Sequence, residues 1–169
     1  MKLIPERYGL AAATLFVAGI VVGLVVQNAI AQSANRGIVG LNHVGIAVPD
    51  LDAAITYYTE TMGFPEAFRV TNDAGQPVLV YVQISRDTFV ELQTVNPQRP
   101  AGLSHLGIEV EDMGSAIAMF RQRGAEVSDP RSGSTNAVLG NVTDLNGMRI
   151  ELVEVTPDSL HRQAIDRWE

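Results

Sequence analysis

Cysteine is absent from this chain of 169 residues, and lysine occurs only once, as Lys2. The absence of cysteine excludes disulfides, thiolate nucleophiles, iron–sulfur clusters and cysteine-ligated zinc. The absence of lysine after residue 2 excludes a Schiff-base lysine and a phosphate-loop lysine from the folded part. A net charge of −7 argues against nucleic acid as a partner, because binding it requires a basic face. Any chemistry must therefore come from His, Asp, Glu, Arg, Tyr and hydroxyl groups.

Charged residues are also absent from positions 8–35, which follow a short basic start and are largely apolar. The small-x-small sequence Ala-Ile-Ala at 29–31 is typical of a signal-peptidase site. We therefore predict that residues 1–31 are a signal peptide, or a membrane anchor if the apolar run is retained. The expected location is periplasmic or extracellular, with membrane contact only in the anchored case. Residues 32–40 are predicted to be a linker.

The rest of the chain repeats one pattern. Residues 41–50 and 103–112 share Leu, His, Gly, Ile, Val and Asp at equivalent positions, and each segment leads into apolar residues at helical spacing. Both halves then contain alternating strand patterns and end on a hydrophobic-Glu-Leu sequence. The prediction is two β-α-β-β-β modules, at 41–96 and 103–155.

The predicted fold class is α+β, with the paired modules of domain 41–155 forming one curved mixed sheet around a shared cavity. A helix is expected within 156–169, because Leu160, Ala164, Ile165 and Trp168 share one side of it. The short link at 97–102 favours pairing of the modules within one chain. A homodimer that exchanges modules stays open as an alternative.

Strand alternation places the two repeated histidines and the two repeated glutamates on the face away from the helices. Gly45, Ala47 and Gly107 share that face and are expected to leave volume for a ligand. Two imidazoles and two carboxylates in one cavity predict a site for one divalent metal ion, with Zn, Ni, Fe and Mn all suited to these ligands. The predicted ligands are His43, Glu91, His105 and Glu151. The third histidine, His161, has no counterpart in the repeat and is predicted to lie on the surface.

These four residues and their modules resemble the vicinal oxygen chelate superfamily, which includes glyoxalase I, bleomycin-resistance proteins, extradiol dioxygenases and methylmalonyl-CoA epimerase. The resemblance covers 41–155 and is most specific at 41–51 and 144–152. A Glu at the end of both modules is similar to the four-ligand pattern of glyoxalase I, whereas epimerases of the family tend to have Gln at position 91. The Arg and Asn of glutathione-using members are replaced here by Ala47 and Val95.

The resemblance implies a metal-dependent, glyoxalase-like lyase or isomerase acting on a small molecule with vicinal oxygens. Such an enzyme stabilises the enediolate formed when an adjacent C–H is deprotonated, with Glu91 or Glu151 as the base. Two other functions stay open. One is a ring-cleaving extradiol-type dioxygenase, in which Glu91 would be a bystander, and the other is non-catalytic binding and sequestration of a small molecule.

Overall fold

The computed structural model describes residues 37–169, together with residues 16, 17, 19, 20 and 22. The chain divides into two compact units, Met1–Arg36 and Gly37–Glu169. The predicted signal or anchor segment lies almost entirely outside the described residues, so export and anchoring stay predictions. Among the residues that are described, no helix is both long enough and apolar enough to cross a membrane.

The two halves of the second unit contain similar elements in the same order. The first half comprises β1 (Ile38–Val48), α1 (Leu51–Thr56) with a π-helical continuation (Tyr57–Thr61), β2 (Glu66–Thr71), β3 (Pro77–Ser85) and β4 (Thr88–Thr94). The second half comprises β5 (Gly102–Val110), α2 (Met113–Gln122), β6 (Arg131–Ser132), β7 (Val138–Thr143) and β8 (Arg149–Glu154), and α3 (Leu160–Arg167) follows. β1 begins inside the predicted linker because Ile38 pairs with Val110. Val127 forms only an isolated bridge with Val142, and β6 is the edge strand of the second half.

All eight strands form one mixed sheet in the order β2-β3-β4-β1-β5-β8-β7-β6. β1 and β5 pair antiparallel at the middle of the sheet. Each of them also pairs in parallel with the last strand of its own half, β4 or β8. This confirms the α+β prediction of one mixed sheet, and the halves meet within a single chain.

One helix covers each half of the sheet on the same face. Leu51 of α1 packs in a core with Val80 and Leu92, and Ile117 of α2 packs with Leu152 in the other half. Asp50 and Asp112 cap these helices by accepting hydrogen bonds from backbone amides three residues on, a contact that stabilises a helix by about 1 kcal/mol. The opposite face of the central strands is therefore left to the polar side chains.

The terminal helix α3 packs against the first half, where Ala164 and Ile165 contact Phe68 and Phe89. The prediction that His161 lies on the surface is wrong, because its side chain is only 1% exposed. Residue 161 stands three and four positions before Ala164 and Ile165, so helical spacing places it on the same buried stripe. The lack of a repeat counterpart was a poor guide to its burial.

Candidate metal centre

The structure brings the four predicted ligands together from the four central strands. One ligand atom from each of His43, Glu91, His105 and Glu151 lies within 4.8 Å of all the others. All four residues are buried. We call this group the four-residue cluster.

Two glycines make room for the histidine rings. The register of β1 and β5 places His43 opposite Gly107 and Gly45 opposite His105. A Cβ atom added to Gly45 would lie 2.1 Å from Cε1 of His105, and one added to Gly107 would lie 2.2 Å from Cε1 of His43. The volume beside these glycines was predicted to hold a ligand, and this is wrong: each half's glycine accommodates the other half's imidazole.

The Nε2 atoms of the two histidines face each other at 2.9 Å, with the carboxylates beside them. Nε2 of His43 is 3.5 Å from Oε2 of Glu91 and 3.6 Å from Oε2 of Glu151. Nε2 of His105 is 3.6 Å from Oε1 of Glu91 and 4.0 Å from Oε2 of Glu151. Two nitrogens and two carboxylates therefore surround one small volume.

The tautomer of His43 is set by the residue before it. Asn42 donates through Nδ2 to Oε2 of Glu109 at 3.1 Å, which turns its Oδ1 toward Nδ1 of His43 at 3.0 Å. An amide oxygen only accepts, so Nδ1 carries the proton and Nε2 presents its lone pair to the cluster. Burial lowers the pKa of His43 to about 3, so the ring is neutral at pH 7. In the second half, Ser104 Oγ lies 2.6 Å from Nδ1 of His105.

The two carboxylates have different partners. Glu91 accepts a hydrogen bond from the hydroxyl of Tyr81 on Oε2, while its buried Oε1 has no hydrogen-bond partner among the described residues. Glu151 accepts from Arg131 and Arg149 on Oε1, at 3.1 and 2.9 Å, and turns Oε2 toward the histidines.

Their pKa values move in opposite directions. Burial alone raises the pKa of Glu91, but the hydrogen bond with His105, the interaction with the His43 ring and the hydrogen bond from Tyr81 together outweigh burial and lower that pKa to about 2. For Glu151, burial raises the pKa and is the larger effect, although the charge of Arg149 opposes it. Burial also raises the pKa of the Tyr81 hydroxyl, so this group stays protonated and donates.

These residues fit a divalent metal ion. The buried Oε1 of Glu91 has no protein donor, and Nε2 of His43 is an acceptor aimed at the same volume. A cation would satisfy both atoms, and a set of two imidazoles and two carboxylates suits first-row metals without selecting one. The chemistry of the four-residue cluster therefore supports the prediction that it can hold a divalent metal ion.

A cavity of about 280 Å³ adjoins the carboxylates of Glu91 and Glu151. A wider groove of about 650 Å³ lies beside this cavity, and Gln93, Arg99 and Arg149 line both spaces. The residues that support the cluster were not predicted from the sequence. Asn42 and Ser104 were detectable, because each is a polar residue directly before a repeated histidine. Tyr81 and Arg131 carried no comparable signal.

The fold and the cluster agree with the comparisons with known proteins. Residues 40–152 match the model of the Glyoxalase/Bleomycin resistance protein/Dioxygenase superfamily. The chain belongs to this superfamily, which confirms the resemblance identified from the sequence.

Individual relatives indicate which members of the superfamily this chain resembles. The chain is 32% identical over 133 residues to an ethylmalonyl-CoA/methylmalonyl-CoA epimerase of Cereibacter sphaeroides, covering 68% of this chain and 97% of the relative. Among solved structures it resembles methylmalonyl-CoA epimerase from Mycobacterium tuberculosis, with 27% identity, a TM-score of 0.63, and coverage of 72% of this chain and 91% of that one. A Streptomyces coelicolor methylmalonyl-CoA epimerase in complex with 2-nitronate-propionyl-CoA shares the fold, at 23% identity and a TM-score of 0.62, with 72% and 98% coverage.

These relatives decide between the two expected reaction classes. An epimerase is an isomerase, so the prediction of a metal-dependent, glyoxalase-like lyase or isomerase is confirmed for the enzyme class, with isomerase indicated and not lyase.

Proposed function

We propose that this domain is a metal-dependent isomerase that moves a proton on and off a carbon next to a carbonyl group. The observation that carries the proposal is the buried four-residue cluster beside a cavity, with one carboxylate contributed by each half of the sheet. The proposed substrate is a small acid or ester in which two neighbouring oxygens can chelate one ion. The names of the relatives support a malonyl-type compound, in which one C–H lies between two carbonyl groups.

His43, His105, Glu91 and Glu151 would hold the ion. A bound divalent metal supplies Lewis-acid polarisation of the substrate carbonyl, which makes the adjacent C–H more acidic. His43 stays neutral, and the rings of His43 and His105 are fixed by Asn42 and Ser104. The enediolate or enolate route expected from the sequence is part of this proposal.

The proton transfers are assigned to the two glutamates. Inversion of a carbon centre requires that a proton leave one face and return to the other, and Glu91 and Glu151 approach His43 from different halves of the sheet. The opposite directions of their pKa values suit different roles, since Glu151 holds a proton more readily than Glu91. Glu91 touches both histidines, which argues against the dioxygenase alternative, where it would be a bystander.

The experiment combines metal analysis with proton exchange. Protein purified without chelators is expected to contain about one equivalent of a divalent metal and to exchange the C2 proton of methylmalonyl-CoA for deuterium in D₂O, followed by NMR. A His43→Ala/His105→Ala double variant that keeps its circular dichroism spectrum should lose both properties, and Glu91→Gln should weaken both. Oxygen uptake with catechols, or tight ligand binding by metal-free protein without exchange, would contradict the isomerase.

Export directed by residues 1–31 is a separate part of the proposal. It is supported by the uncharged segment at 8–35 and the Ala-Ile-Ala sequence at 29–31. Mass spectrometry of the periplasmic or secreted protein is expected to show a chain that starts at Gln32. Full-length protein in the membrane fraction would instead indicate an anchor, and purely cytosolic protein would contradict both.

A further inference from the structure

Positive charge is concentrated beside the four-residue cluster. Residues 37–169 contain 18 acidic residues, no lysine and only nine arginines. Three of those arginines line the small cavity next to Glu91 and Glu151. We call Arg99, Arg131 and Arg149 the arginine rim.

The charges around the cavity do not balance. Its lining contains the three guanidinium groups of the rim against the two carboxylates of the cluster. A bound divalent ion would raise the local excess to about three positive charges. Excess charge of one sign in a partly enclosed cavity attracts a ligand of the opposite sign.

The rim still has donors to offer. Arg131 and Arg149 each use one contact on Oε1 of Glu151, and each guanidinium has five N–H groups. Arg99 makes no side-chain ion pair or hydrogen bond within the described part of the chain. Its backbone is fixed by two mutual hydrogen bonds with Asn96, both 3.0 Å long, so the loop that carries it is held in place.

From this arrangement we infer that the arginine rim is an oxyanion subsite that binds a charged group of the substrate in addition to the oxygens chelated at the cluster. The inference rests on the proposed function, since it assigns the substrate class of that same site. The substrate is an anion, and its oxyanion is either a carboxylate of a small acid or a phosphate of a larger carrier group.

The two sources of the oxyanion occupy different parts of the rim. Arg131 lines only the small cavity, whereas Arg99 and Arg149 line both the cavity and the wider groove. A small dicarboxylate confined to the cavity should therefore depend on Arg131 and Arg99. A phosphate-bearing tail in the groove should depend on Arg99 but not on Arg131.

The test is direct binding by calorimetry to Zn²⁺-loaded protein at low salt, with methylmalonate, its dimethyl ester and adenosine 3′,5′-bisphosphate as probes. Arg99→Gln is the decisive variant because Arg99 does not touch the cluster. It is expected to weaken at least one anionic probe tenfold or more, with rescue by Arg99→Lys and no effect on the ester. Arg69→Gln is the matched control, since Arg69 is an exposed arginine paired with Glu66 outside both spaces.

Loss of methylmalonate binding in both Arg99→Gln and Arg131→Gln would identify a carboxylate, and loss of the bisphosphate in Arg99→Gln alone would identify a phosphate. Zinc content is measured for each variant, so that an effect of Arg131 through Glu151 is separated from an effect on the anion. Equal affinities of wild type and Arg99→Gln for both anions, or no binding of either by the wild type, would overturn the inference. Arg99-dependent binding without proton exchange would leave the subsite standing and contradict only the isomerase.

Discussion

The two halves of the domain place a histidine and a glutamate at equivalent points of the sheet but support them differently. In the first half, His43 is fixed by the fully buried Asn42, and Glu91 by the buried Tyr81. In the second half, His105 contacts the half-buried Ser104, and Glu151 contacts two arginines that reach solvent. The backbone thus places the two histidines at equivalent points, and likewise the two glutamates, while their different neighbours make the members of each pair chemically unequal.

The cross-strand neighbours show the same contrast. Tyr81 lies opposite Glu91 and donates to it, whereas the equivalent Asn141 lies opposite Glu151 and leaves its buried Oδ1 without a hydrogen-bond partner in the described residues. Tyr81 is one of several groups that lower the pKa of Glu91, whereas burial is the largest effect at Glu151 and raises its pKa. Equal position in a sheet does not give equal acidity.

The largest effect is expected from adding a methyl group at Gly45 or Gly107, because each of these glycines leaves the space that a histidine ring of the other half occupies. Gly45→Ala and Gly107→Ala should each abolish stoichiometric metal binding and lower the free energy of unfolding by about 1–3 kcal/mol, because the new methyl group must displace a histidine ring. Metal analysis and urea denaturation measure these effects. Gly40→Ala on the same strand is the control, since nothing lies within 4 Å of its added Cβ. Wild-type metal content in Gly45→Ala would contradict the reciprocal packing.

Asn42 and Ser104, which contact the two histidine rings, should differ in how much they contribute to metal affinity. Asn42→Ala is expected to weaken metal binding about 10- to 100-fold, because it removes the partner that fixes the His43 tautomer. Ser104→Ala should have a smaller effect, since Ser104 is partly exposed and water can replace its hydroxyl. Chelator competition measures both affinities. If the two variants lose affinity equally, the halves are supported more evenly than their contacts suggest.

The four cluster residues could be predicted from sequence because two signals coincided. Strand alternation gave the face of His43 and Glu91, and the repeat gave the same face to His105 and Glu151. The function of Gly45 could not be predicted, because the ring that fills its space comes from the other half and depends on the register of β1 against β5. The arginine rim was missed for a similar reason, since its members come from a loop, a two-residue edge strand and the start of β8.

His161 adds a pH dependence that acts on the first half. Its ring packs against Phe68, Tyr81 and Phe89, and neither nitrogen has a hydrogen-bond partner among the described residues. Burial lowers its pKa from 6.5 to about 4. The unfolded chain therefore binds a proton more readily than the folded one, and stability is lost as the pH falls from about 6.5 toward 4.

The metal-free His161→Leu variant is expected to lack the loss of stability that His161 causes as the pH falls. Its loss of unfolding free energy between pH 7 and pH 5.5 should be smaller than that of the metal-free wild type by about 1 kcal/mol. Urea denaturation at the two pH values measures the difference. Parallel losses in the two proteins would mean that His161 titrates in the folded state as it does in the unfolded chain.

An effect of similar size is expected for the residues that contact the two carboxylates. Tyr81→Phe removes the hydrogen bond that orients the Glu91 carboxylate and should weaken metal binding by about 0.5–1.5 kcal/mol. Asn141→Ala is the matched variant in the second half and should leave affinity unchanged, because its Oδ1 makes no hydrogen bond in the described structure. A larger effect of Asn141→Ala than of Tyr81→Phe would reverse the comparison.

The exchange of glycine and histidine between β1 and β5 also bears on ancestry. The ring of His43 fills the volume beside Gly107, and the ring of His105 fills the volume beside Gly45. The contact between β1 and β5 is therefore isologous, because one surface meets an equivalent copy of itself. A half-length chain with one such histidine and one such glycine contains every group that this contact needs. Two copies of it would form the same centre across a twofold axis, as a homodimer. Fusion of the copies would then free each half to change its neighbours independently, and an asymmetric pair of carboxylates requires that freedom.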